Sequence, residues 1–156
     1  MEVMEFLCDK AVSADLKATD KKGIIDELVE LLIKGGKVKE KDKSKIIEIL
    51  LNRESLGSTG IGQGIGIPHG KCDCVKELVA AFGVSKRGIN FDALDGEPVY
   101  IFFLLLAPED SAGPHLKALA RISRLLKDKY FRDSLIHADS DKAIINIIKD
   151  EDQKKY

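Results

Sequence analysis

His69 is the residue whose surroundings point most directly to chemistry. It closes the run Arg53-Glu54-Ser55-Leu56-Gly57-Ser58-Thr59-Gly60-Ile61-Gly62-Gln63-Gly64-Ile65-Gly66-Ile67-Pro68-His69-Gly70-Lys71. Glycines at 60, 62, 64 and 66 leave a bare backbone that can approach a ligand and aim N–H groups at it. Pro68 fixes the chain before the imidazole and Gly70 frees it afterwards. A neutral imidazole is a good nucleophile at around pH 7 and can attack phosphorus, provided an acceptor holds its other nitrogen. A phosphoryl group spreads charge over its oxygens and needs donors. The candidates are loop N–H groups such as that of Gly60, the hydroxyls of Ser58 and Thr59, and the Arg53 guanidinium.

Other chemistries fit less well. No Gly-Lys-Ser/Thr follows the glycines and the dinucleotide spacing is absent, so a nucleotide site is not expected. His115 follows Pro114 in the first turn of an expected helix, where N–H groups and the helix dipole favour an anion. It is either a second imidazole steadying phosphoryl oxygens or a polar helix residue without a role. His137 has no motif around it and reads as a C-terminal helix residue. Cys72-Asp73-Cys74 offers two sulfurs but no second cluster, short of the four ligands of structural zinc. We therefore expect no metal, and two solvent-facing thiols on a loop.

The elements that must position His69 follow from apolar spacing. Ile24, Ile25, Leu28, Val29, Leu31 and Leu32 mark a helix over Lys21 to Lys34, capped by Thr19 or Asp20 and stopped by Gly35-Gly36. A second helix, capped by Asp42, ends near Arg53-Glu54, before Gly57. Leu78 to Val84 reads as a strand, Asp95-Gly96 as a hairpin-type turn, and Pro98 to Leu106 as a central strand covered on both faces. Pro114 suits the first position of a third helix, with Leu116, Leu119, Ala120, Ser123 and Leu126 at helical spacing. A short helix spans Tyr130 to His137. The last, capped by Asp139 or Ser140, carries Ile144, Ile145, Ile147 and Ile148. Paired helices flanking central strands predict a three-layer α/β/α sandwich around one mixed sheet.

Length and charge set the frame. The 156 residues fit one domain, with a charged tail over 150–156 expected to fray. With 25 basic and 26 acidic residues the chain lacks the surplus of a nucleic-acid binder. No apolar run is long enough for a membrane span, and Met1 to Glu5 lacks a basic signal-peptide start. Three cysteines without a secretion signal imply reduced thiols in a cytoplasmic protein.

The run from Gly57 to Lys71 resembles the active-site motif of phosphotransferase-system enzyme IIA domains of the fructose–mannitol type, and the nitrogen-related branch most closely. Phe91 to Val99, the apolar strand to Ala107-Pro108, and His115-Leu-Lys-Ala-Leu extend the likeness over about Leu16 to Ile148. The resemblance implies that His69 accepts a phosphoryl group from phosphorylated HPr, or an HPr-like carrier, and hands it to an enzyme IIB. It assigns His115 as the second pocket histidine and Arg53 as the arginine before the glycine loop. It requires no cofactor and suggests Nε2 as the phosphorylated nitrogen. Gly66 stands where the family more often has Ala, and Cys72 and Cys74 lie outside its pattern. The expected acceptor is a separate protein, and exposed apolar residues are expected around His69 for docking. Two alternatives stand beside phosphotransfer in sugar uptake. One is a regulator that binds target proteins according to its phosphorylation state; the other is an anion binder without turnover.

Overall fold

The computed structural model describes residues 1–154. Six strands form one mixed sheet: β1 (Leu7–Ser13), β2 (Gly60–Gly62), β3 (Ile65–Gly66), β4 (His69–Lys71), β5 (Val79–Ile89) and β6 (Val99–Ala107). Their order is β1-β5-β6-β3-β2, with β4 also paired to β6. β5 and β6 run antiparallel, whereas β1 lies parallel to β5 and both β3 and β4 lie parallel to β6. Helices α1 (Lys21–Lys34) and α2 (Lys43–Ser55) cover one face. Helices α3 (Ala112–Leu125), α4 (Lys129–Ile136) and α5 (Asp141–Asp152) cover the other. The expected three-layer α/β/α arrangement is the one observed.

Strand alternation divides the core. On β6, Ile101, Phe103 and Leu105 join the α3–α5 side, while Phe102, Leu104 and Leu106 join the α1–α2 side. Each half holds an edge-to-face phenylalanine pair. Phe82 meets Phe103 at 4.9 Å between centroids, and Phe91 meets Phe102 at 5.2 Å. A strand buried on both faces cannot alternate apolar with polar, and this is why Val99–Ala107 reads as a continuous apolar run.

Caps set several helix boundaries. Asp20 accepts from Gly23 N–H at 2.8 Å and Ser140 from Ala143 N–H at 3.1 Å, which decides both caps left open by the sequence. Asp42 stands at the N-cap of α2, but its side chain makes no cap bond.

One element was missed and three expectations need correction. β1 was not anticipated: its burial runs in pairs, because the register with β5 shifts between Leu7 and Val12 and destroys the two-residue alternation. α3 begins at Ala112, two residues before Pro114, and buries His115, Ala118, Ile122 and Leu125 while Leu116 stays 67% exposed. The apolar face expected from Leu116 is therefore displaced by one residue. β5 continues to Ile89, so the turn at Asp95-Gly96 lies within a longer connection to β6. The tail does not fray at Asp150: α5 runs through Asp152, whose buried carboxylate accepts from Arg121 at 2.9 Å and 3.2 Å. The last two residues of the expected tail, 155 and 156, lie outside the described residues.

Gly83 tests the packing between β5 and the segment after β1. A Cβ there would lie 2.6–2.8 Å from three carbons of the buried Leu16 side chain. Gly83→Ala should cost about 1–3 kcal/mol of stability by overpacking. Combining it with Leu16→Ala should cost less than the two single changes together, as measured by urea unfolding. Strict additivity would show that the two sites do not press on each other.

Candidate functional site

The backbone of β6 places His69. Ile65 and Gly66 pair with Ile101 and Phe102, and His69, Gly70 and Lys71 pair with Leu105, Leu106 and Ala107 in the same register. β3 and β4 are thus one strand interrupted at Ile67-Pro68. Pro68 has no N–H to give, though its carbonyl still accepts from Leu105 N–H at 2.9 Å. Ile67 N–H turns to Thr59 O at 3.0 Å instead. Alternation then sorts the side chains. Ile65 and Ile67 belong to the α3–α5 side of the core, and His69 continues their parity. Gly70 faces α2, where a Cβ would lie 2.9 Å from Ile49 Cγ2.

That parity brings His69 to His115 on α3. The ring centroids are 5.5 Å apart and the planes meet edge-on at 75°. His69 is half-buried, and its Nδ1 lies 2.7 Å from Ile67 O. A carbonyl can only accept, so Nδ1 carries the proton and donates it, leaving the Nε2 lone pair free. His115 is 7% exposed, and its Nε2 is buried without a hydrogen-bond partner. Such an atom is costly unless something occupies the space before it. Burial, and then the charges of His69 and Lys71, push the His115 imidazole below its ordinary value of 6.5. His115 is accordingly neutral at about pH 7 and can donate from one nitrogen. Its own backbone N–H is spent on Ser111 O at 3.0 Å, so its contribution to an anion comes from the ring.

The other loop residues are engaged with one another. Arg53 Nη1 donates to Gly57 O at 2.7 Å, which closes the end of α2 onto the loop. Ser58 Oγ donates to Phe91 O at 2.8 Å and accepts from Gly60 N–H at 3.0 Å. The buried Thr59 donates its hydroxyl to Glu54, and its N–H reaches the same carboxylate at 3.1 Å. Glu54 is 7% exposed, and its charge is met by Lys21 at 3.2 Å. Sequence reasoning passed over Glu54 because an acidic residue at the solvated end of a helix carries no signal. Its position five residues before Thr59 was the one available clue.

The glycines also have structural duties. Gly62 and Gly64, at φ +99° and +77°, flank Gln63 at +60° in the tight β2–β3 turn. Gly60 and Gly66 give room to Ala93 and to Phe102. Leu56 and Ile61 on the glycine-rich run, Leu94, whose N–H bonds Gly60 O, and Leu116, next to His115 in the chain, are exposed, the first by 85%.

The cysteine expectation is overturned. Cys72 is fully buried and joined to Cys74 in a disulfide, while Cys8 is free and buried. The residue after β4 continues its parity inward, so Cys72 packs into the α1–α2 side of the core.

Comparison with known proteins bears on this site. Residues 5–151 match the family described as "Phosphoenolpyruvate-dependent sugar phosphotransferase system, EIIA 2". A fructose-specific EIIABC component of Bacillus subtilis is 40% identical over 153 residues, 98% of this chain; the chain spans about a quarter of that protein, 24% of its length. A nitrogen regulatory protein of Bradyrhizobium diazoefficiens is 37% identical over 95% of each chain. The crystal structure of nitrogen regulatory protein IIA-Ntr from Neisseria meningitidis superposes with a TM-score of 0.82 and 35% identity, covering 92% of this chain and 97% of that one.

The paired imidazoles make a direct pH prediction. Followed by NMR, His115 should titrate with a midpoint below 6.5 in the unmodified protein, because burial and its cationic neighbours oppose its proton. The unfolded chain then binds the proton more readily, so this group adds stability as pH rises through the window below 6.5 and removes it as pH falls. A midpoint at or above the free imidazole value would show that the ring is not desolvated as described.

Proposed function

We propose that this chain, which belongs to the EIIA 2 family, is a phosphocarrier that receives a phosphoryl group on His69 Nε2 and passes it to another protein. The observation that carries this reading is the hydrogen bond from His69 Nδ1–H to Ile67 O beside the unpartnered Nε2 of His115. The donor that the resemblance names is phosphorylated HPr or an HPr-like carrier. The Nε2 lone pair attacks phosphorus, the bond to the donor's imidazole nitrogen breaks, and that imidazole leaves with the electron pair. His69 keeps its Nδ1 proton throughout, and the Ile67 carbonyl dipole faces the positive charge that develops on the ring.

The buried His115 ring donates to a phosphoryl oxygen, which gives its orphaned nitrogen a partner. Arg53 keeps N–H groups beyond the one used on Gly57 O and is the second candidate for those oxygens. Ser58, Thr59 and Gly60 hold the shape of the loop, since their donors are spent on Phe91, Glu54 and Ser58. No metal or nucleotide enters, because the donor phosphohistidine is already activated.

An enzyme IIB is the acceptor in a sugar-uptake role. A second role is suggested by similarity: the Bradyrhizobium diazoefficiens protein named as a nitrogen regulatory protein is 37% identical, close to the 40% of the fructose protein. In that role the phosphorylation state decides which target binds, since phosphate adds about two negative charges to a surface that carries Leu56, Ile61, Leu94 and Leu116.

Intact mass after incubation with enzyme I, HPr and phosphoenolpyruvate tests the chemistry. An acid-labile gain of about 80 Da, absent from His69→Ala, is expected. His115→Ala should still be labelled, about a hundredfold more slowly. Complete loss in both variants would remove the distinction between nucleophile and oxygen donor. No gain in the native protein, with a donor set proven on another acceptor, would favour a site that only binds.

A further inference from the structure

The disulfide one residue beyond β4 has no part in the phosphotransfer just described. It joins residues only two apart. Closing so short a ring removes little freedom from the unfolded chain, so the bond adds less to stability than a bridge across a long loop. Its position is more informative. Cys72 N–H donates to Ala107 O at 2.9 Å, extending the β4–β6 pairing that places His69. Asp73, between the two sulfurs, is ion-paired with Lys45 of α2, the helix that carries Arg53 and Glu54 at its far end. Cys74 N–H points to Cys72 Sγ at 3.2 Å, so the turn is tied at both its backbone and its sulfurs. The two cysteines are not equivalent: Cys72 is fully buried, whereas Cys74 is half-buried at the edge of the α1–α2 core.

We infer that Cys72–Cys74 is a thiol–disulfide exchange site for a cellular dithiol, and that its oxidation state sets how readily His69 accepts a phosphoryl group. The inference rests on the phosphocarrier reading for its consequence but not for its chemistry. A thiolate of the dithiol attacks Cys74 Sγ, a mixed disulfide forms, and the Cys72 sulfur leaves with the electron pair and takes up a proton. The second thiolate then attacks the reductant's own sulfur in the mixed disulfide, and Cys74 leaves and is protonated. The protein gains two electrons and two protons, and the dithiol becomes a disulfide. Oxidation reverses these steps, with a disulfide as the oxidant.

Bridged, the turn anchors the end of β4. Reduced, it keeps the buried Cys72 but loses the covalent tie, so β4 is held less firmly on β6 and His69 is less well aimed.

The test uses phosphoramidate, a small donor that phosphorylates imidazole without a carrier protein. Alkylation after denaturation fixes the redox state: one label for the bridged chain, on Cys8, and three for the reduced chain. Reduced protein should take up the acid-labile phosphoryl group on His69 roughly threefold or more slowly than bridged protein. Cys74→Ser should match the reduced rate and ignore dithiothreitol. Equal rates in the two verified states, or three labels after treatment with a disulfide oxidant, would overturn the inference. If phosphoramidate separates the two states but phosphorylated HPr labels neither, the exchange site stands and the phosphocarrier reading falls.

Discussion

Backbone hydrogen bonding along β6 is the constraint on which everything else in this molecule depends. Val99–Ala107 pairs with β5 on one edge and with both β3 and β4 on the other. With no register change between β3 and β4, side chains on the two segments keep a common parity. Pro68 interrupts the ladder without breaking that parity. The Ile67 carbonyl, standing beside the interruption, becomes the acceptor for His69 Nδ1. The tautomer of the imidazole thus follows from a proline in a strand.

The two imidazoles meet because parity and helix period coincide. His69 points to the α3–α5 side through the alternation of β4, and His115 points back as the first buried residue of α3. Burying an imidazole with an unpartnered nitrogen costs stability, and here that cost falls beside His69. The opposite face does the supporting work. Glu54 accepts from Thr59 twice and is itself held by Lys21, so the loop ahead of His69 is braced from α2 and α1. Two layers of helix therefore serve one strand in different ways: one supplies the partner ring and the other the brace.

Much of this was legible in the sequence, for reasons that differ by element. β6 announced itself because burial on both faces demands an unbroken apolar run. Thr19 or Asp20, and Asp139 or Ser140, marked two helix starts because caps use few residue types, and the structure selects Asp20 and Ser140. His69 stood out through Pro68, Gly70 and the glycine run, although Gly62 and Gly64 serve a tight turn and Gly60 and Gly66 make room for neighbours. β1 was hidden because its register shift places Asp9 and Lys10 side by side on its exposed stretch. The face of α3 was misplaced because Leu116 is the more apolar residue, while the fold spends the buried position on His115. The bridge between Cys72 and Cys74 was missed because composition argues from compartment, whereas proximity is decided by a turn.

The shared register of β3 and β4 on β6 also governs the order of assembly. His69 precedes its pairing partner by the whole of β5 and the connection after it. A chain emerging from synthesis carries the histidine long before it carries Leu105, and until Val99–Ala107 is in place β4 lacks the strand it pairs with. His115 comes later still. The pairing of the two imidazoles therefore waits for α3, and a partly made chain shows the full glycine run before His69 has either its strand partner or its neighbouring ring.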